Sequence, residues 1–255
     1  MKKTIISLMA LTGLVGADTI NPITEGDWTT GSRFNRPTWT QTDNGTLALT
    51  NSNWSQAYAI FDLEENITGA WEATTTIERY DGHAGFTLTF VGLDTAITIG
   101  TQNYRSGTAY YGTTTNVTAN GYSFEGELYE IGGTRVEPAM QFVEGVFNVN
   151  QSAWITASAA LDADSNVILT LTLAGSAVDT PFTTTLNLGQ GFELDKIVVW
   201  GDGDRIFTSN HWVVTEMTLT TPDAPEPSTP SVPEPTTATL SLLALAGLAA
   251  RRRRK

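Results

Sequence analysis

The chain has 255 residues, with 14 Lys and Arg against 27 Asp and Glu, two His and no Cys, for a formal charge of −13. So acidic a surface repels nucleic acid and anionic lipid, because phosphate binding needs clustered cations. The lack of cysteine excludes disulfides and thiolate chemistry, and a chain of this length buries an adequate core without such staples.

At the amino end, Lys2 and Lys3 precede an apolar stretch over 5–15 and the small residues Val15-Gly16-Ala17. This layout predicts a secretory signal peptide, residues 1–17, cut after Ala17. The block 18–221 is rich in Thr, Val, Ile, Gly and aromatics and shows no sustained 3.6-residue apolar period, so it reads as all-β. Strands are predicted near 45–50, 58–63, 71–78, 86–91, 96–99, 135–142, 154–161, 183–188, 196–200 and 212–220. A further strand holds Val167, Leu169, Leu171 and Leu173, whose alternation with Ile168, Thr170 and Thr172 gives it one core face. Asp162-Ala163-Asp164-Ser165-Asn166 joins it to the strand before as a hairpin loop. Many short strands with Gly, Asn and Asp turns mean a sandwich or barrel. Trp71, Trp154, Trp200 and Trp212 fall in strands and are assigned to the core. The stretch 102–144 fits the rhythm least and reads as an insertion or long loops.

Residues 222–237 form a linker in which six prolines punctuate Ser, Thr and Glu. Proline at this density favours an extended, semi-rigid stalk. The tail, 238–255, is an apolar run over 238–250 followed by Arg251, Arg252, Arg253, Arg254 and Lys255. The run is shorter than the roughly 20 residues that cross a bilayer comfortably, and the terminal cations would stay on the cytoplasmic side. Pro233-Glu234-Pro235, then the apolar run, then the basic end resemble the PEP-CTERM sorting signal of bacterial surface and matrix proteins. That resemblance implies a transient sorting helix processed by the membrane enzyme exosortase, with Pro233, Glu234, Pro235 and Arg251 to Arg254 as its sorting residues. It also implies delivery to the cell surface, the outer membrane or an extracellular matrix. The leader holds two cations and the tail five, so the seven left against 27 acids would give the trimmed protein about −20.

Asn44-Gly45-Thr46-Leu47-Ala48-Leu49-Thr50, Ala57-Tyr58-Ala59-Ile60-Phe61-Asp62-Leu63 and Trp71-Glu72-Ala73-Thr74-Thr75-Thr76-Ile77-Glu78 resemble the opening strands of a laminin G-like, concanavalin A-like jelly roll. The hairpin from Trp154 through Asp162 to Gly175 resembles that family's central hairpin. Lys196-Ile197-Val198-Val199-Trp200-Gly201 and the strand from Trp212 resemble its closing strands. The resemblance implies an antiparallel jelly-roll β-sandwich of lectin type; it lies in strands and turns rather than in catalytic letters.

A glucanase branch of that family would carry aligned carboxylates on one strand face. Glu125 and Glu127, with Glu130 out of phase, lack the third aligned acid and the aromatic context; Glu193 and Asp195 read as a strand entry. His83 and His211 sit at a turn and a strand start, and zinc spacing is absent. Calcium is the metal that suits the oxygen-rich segments Asp162, Asp164 and Asn166, and Asp202 and Asp204. The same segments read equally as Asx turns, since Val167 and Leu173 stand where an EF-hand needs Gly and Glu. For a sugar ligand the candidate rings are Trp54 in a polar loop and Tyr104, Tyr110, Tyr111 and Tyr122 in the irregular stretch, because ring faces stack on pyranoses. These rings could instead pack under the loops. The expectation is an exported, non-enzymatic β-sandwich that binds extracellular polysaccharide or another glycan. The alternatives are a structural matrix or coat protein without a specific ligand, and a divergent glycoside hydrolase or lyase.

Overall fold

The computed structural model describes residues 18–32, 38–50, 56–80, 85–101, 107–115, 130–131, 134–135, 141–202 and 212–221. In chain order the elements are β1 (Asp18–Ile20), α1 (Pro22–Glu25), β2 (Trp28–Ser32), β3 (Thr38–Gln41), β4 (Leu47–Thr50), β5 (Gln56–Thr68), β6 (Trp71–Arg79), β7 (Phe86–Gly92), β8 (Thr95–Thr101), β9 (Gly107–Thr115), β10 (Glu130–Ile131), β11 (Thr134–Arg135), β12 (Gln141–Phe147), β13 (Gln151–Leu161), β14 (Asn166–Gly175), β15 (Phe182–Gln190), β16 (Glu193–Asp202) and β17 (Trp212–Thr221). The strands form a jelly-roll β-sandwich. One sheet runs β15-β14-β13-β6-β17-β4-β3, with β1 also on β17, and the other runs β12-β9-β8-β7-β16-β5-β2; β10 and β11 pair apart. The described pairs are all antiparallel.

Alternation sets which face meets the core. On β14, Val167, Leu169, Leu171 and Leu173 are buried while Ile168 and Thr170 stay half-exposed on the outer face, as period-two side chains require. On β6, Trp71, Ala73 and Ile77 point the same way, against Phe86, Leu88 and Phe90 of β7 and Ile197 and Val199 of β16. An aromatic knot fills the centre: Phe86 stacks on Trp212 at 4.9 Å between ring centroids, and Phe147 meets Trp212 edge-on at 5.9 Å. Arg79 is buried here too. Its Nη1 donates to the Phe147 carbonyl at 2.8 Å, and its guanidinium lies 5.2 Å from the Trp212 ring centre, so the charge is hydrogen-bonded and faces a π-surface.

The stretch 102–144, read as an insertion or long loops, contains β9, β10, β11 and the start of β12. β9 runs through Tyr110 and Tyr111, and β12 pairs with it. In place of one strand over 135–142, the described strand residues are Thr134 and Arg135, on β10, and 141–147, on β9. The two sheets also treat their second faces differently. In the seven-stranded sheet that face is buried as well: Val91, Val198 and Trp200 form a second apolar cluster with Tyr58 and Ile60, and Thr87, Thr89 and Thr98 are buried beside it. The outer face of the eight-stranded sheet is the open one.

Candidate functional site

The register places hydroxyls in rows across that open face. Thr183 pairs with Thr172, Thr172 with Thr156, Thr156 with Thr74, and Thr74 with Thr218. Five strands therefore carry threonine in one line, at the strand spacing of about 4.8 Å. The next row is Thr185, Thr170, Ser158, Glu72 and Thr220. On the other side lie Ala174, Trp154, Thr76 and Glu216. Hydroxyls within rows bond one another: Thr74 and Thr218 at 2.6 Å, Thr172 and Thr183 at 3.2 Å. Thr76 donates to Glu216 Oε2 at 3.3 Å. Such cross-strand Thr pairs stabilise a sheet while leaving lone pairs for a ligand or water.

Trp154 stands out from this face, 43% exposed. This corrects its assignment to the core. It lies opposite Ala174 on β14 and Thr76 on β6, both small, so the indole is left uncovered. Trp71 and Trp212 are buried as expected, and Trp200 is buried on the second face of the other sheet. Near the same end Tyr80 donates to Glu78, and that bond, more than burial or the nearby charge, holds the phenol pKa above its ordinary value.

The sugar-site tyrosines described here are not loop residues. Tyr110 and Tyr111 lie in β9, each 1% exposed. Tyr111 faces the core, 5.7 Å from the Phe182 ring, and its hydroxyl donates to Gln141. Tyr110 points to the other face, where a Cβ added at Gly100 would come within 2.9 Å of its hydroxyl. The flanking threonines and glycines gave no apolar alternation to mark β9 as a strand. Trp54, Tyr104 and Tyr122 lie outside the described residues, as do Asp204, Ala17, Pro233 to Pro235 and Arg251 to Arg254.

The hairpin loop is closed on itself. Asp162 Oδ1 accepts from the backbone N–H of Asp164 at 2.9 Å and of Asn166 at 2.8 Å, and Oδ2 accepts from Asn166 Nδ2 at 3.0 Å. The Asn166 bonds lead in holding the carboxyl below the usual range. Ser165 takes a left-handed backbone, φ 63°, to close the turn. This is an Asx turn in which Asn166 presents its amide nitrogen to the acid. Asp202 ends β16 opposite Gln56. Among the described residues no group of three or more His, Asp or Glu is placed to hold a metal ion. Glu193 accepts from Asn66, and Asp195 pairs with Lys196, which also reaches Asp62.

Residues 231–255 match the PEP-CTERM protein-sorting motif. A PEP-CTERM signal implies export and sorting to the cell surface. Among the described residues no helix is long and apolar enough to cross a membrane, and the run 238–250, on which a sorting helix is expected, lies outside them. No curated protein matches the chain. Solved structures similar to this chain include lectin II from Ulex europaeus, at 11% identity and a TM-score of 0.49 over 80% of this chain and 97% of that one. The carbohydrate recognition domains of Emp47p (11%, TM-score 0.48, 79% and 93%) and of Emp46p in its potassium-bound form (13%, 0.47, 75% and 87%) are similar too. At such identities and scores these likenesses carry no ligand with them.

Proposed function

We propose that the protein is an exported, exosortase-processed surface protein whose sandwich is a non-catalytic module for extracellular polysaccharide. The reading rests on one observation: an exposed indole, Trp154, on a sheet face rich in Ser and Thr hydroxyls, with Glu72 and Glu216 among them. A ring face offers stacking to the apolar side of a sugar, and hydroxyls on a rigid sheet offer both donors and acceptors to its polar edge. This face takes the place of the Tyr110–Tyr111 site. Of the acids on β16, Glu193 accepts from Asn66 and Asp195 is paired with Lys196.

The test is titration of a panel of soluble polysaccharides and oligosaccharides by calorimetry, with indole fluorescence as a second readout. At least one ligand is expected to bind the wild type, and Trp154→Ala is expected to weaken it at least about tenfold, the loss of a stacked ring. No binding across the panel, or undiminished binding by the variant, would overturn the site. The mass of the protein recovered from the surface checks the processing: loss of the residues following Pro233-Glu234-Pro235 is expected.

A further inference from the structure

Five described strands lie at the edges of the two sheets, the three-residue β1 among them, and four of the five are short or guarded. β3 has four residues and β2 five. β12 has seven, but its register on β9 breaks between Val143 and Phe147, and it carries Glu144. Short length, a bulge and a charge are the devices that stop an edge from templating another strand. β15 lacks them over most of its length. Its nine residues, Phe182 to Gln190, include no charge and no proline, in a chain of formal charge −13. It pairs with β14 without a break from Phe182 to Asn187, and the irregularity is confined to the end near Gly189. No described strand lies on its far side. Thr183, Thr185 and Asn187 are exposed, and Phe182 and Leu186, on the core side, are only partly buried.

We infer that β15 pairs with β15 of a second copy of this chain, joining two eight-stranded sheets edge to edge across a two-fold axis. Antiparallel pairing about such an axis keeps core face beside core face. Centred on Thr185, it sets Thr184 of one copy opposite Leu186 of the other and Thr183 opposite Asn187, so the cover of Leu186 is completed from outside. Charge selects the same edge. Two acidic copies repel over most approaches, and β15 offers a nine-residue line of backbone donors and acceptors without a carboxylate on it. The contact is small. A strand of this length is about 30 Å long, and a strip roughly 10 Å wide gives about 600 Å² over both copies, well under half of the roughly 1,600 Å² that a standard stable interface buries. Pairing is therefore reversible in dilute solution, and crowding of copies on a surface raises the effective concentration that drives it.

Sedimentation velocity on the exported protein as recovered from cells, from about micromolar to about millimolar, tests this. A reversible monomer–dimer equilibrium is expected, strengthened by salt because salt screens acid–acid repulsion. Thr185→Lys lowers the overall repulsion yet sets like charges face to face across the joint. It is expected to raise the dimer dissociation constant at least about tenfold. Thr40→Lys, exposed on β3 at the other end of the sheet, makes the same charge change and is expected to leave the equilibrium unaltered. A chain monomeric throughout overturns the inference, as does a dimer that Thr185→Lys leaves intact or that both variants weaken equally. Should Thr185→Lys fail to melt like the wild type, Thr183→Lys, on the same face of β15, reads the same outcome.

Discussion

Replacing Leu171 by Ala, beside Thr170 replaced by Ala, separates the two faces of β14 within one peptide bond. Leu171 is fully buried and paired with Ala157 on β13 and Thr184 on β15. Neither neighbour is large enough to close the space a leucine leaves. The loss should therefore fall in the upper part of the usual ~2–5 kcal/mol, about 3–5 kcal/mol. A domain of roughly 200 residues shifts about 2–4 °C per kcal/mol, so the melting point drops by roughly 10 °C. Thr170 is half-exposed on the outer face, and its replacement is expected to cost less than about 1 kcal/mol. Urea titrations read both, with an unchanged slope showing that the unfolded reference has not moved. Equal costs, or a greater cost at Thr170, would mean that the strand sits one residue out of register, with its faces exchanged.

Gly100→Ala is expected to destabilise by about 1–3 kcal/mol, because a Cβ there would lie 2.2 Å from the Phe86 carbonyl oxygen on the neighbouring strand; a urea midpoint equal to wild type would contradict the close approach of β7 and β8. Lys196 gives a pH dependence. Burial pulls its pKa down, but hydrogen bonds to Asp195 and Asp62 outweigh that and raise it above the ordinary lysine value. A raised amine stabilises the fold fully below its unfolded pKa and loses that contribution as pH climbs through the folded one. Melting temperature should thus fall along an alkaline limb, and Lys196→Met should flatten that limb; an identical limb in the variant would remove the ion pairs from the account.

Where one face of a strand was apolar, the sequence disclosed both strand and facing. The four inward residues of β14 were legible because large aliphatics alternate with polar neighbours, and the Asp162 turn fixed the hairpin with β13. Trp154 went astray because β13 buries Ala153, Ile155, Ala157 and Ala159, small residues that leave the phase of the strand ambiguous. The signal was nonetheless present. Counting across the turn sets Trp154 opposite Ala174, out of phase with Leu171 and Leu173. β9 was missed for a related reason: both of its faces are buried around Tyr110 and Tyr111, so no alternation appears. β2 and β3 are short and threonine-rich, and β1 is held by pairing with Thr221, Thr220 and Leu219 some 200 positions away, which no local pattern reveals. The hydroxyl rows are a property of register across five strands, visible only once the pairing order is known.

The place of β17 has a consequence for how the molecule is made. It is the last of the described strands in chain order, yet it sits inside the eight-stranded sheet, between β6 and β4, with β1 against its far end. Trp212, its first residue, also supplies the ring that packs against Phe86 and Phe147. Until that segment arrives, the earlier strands have a gap where their central neighbour belongs and cannot lock shut. Closure of the eight-stranded sheet therefore waits on a strand near the carboxyl end of the described residues.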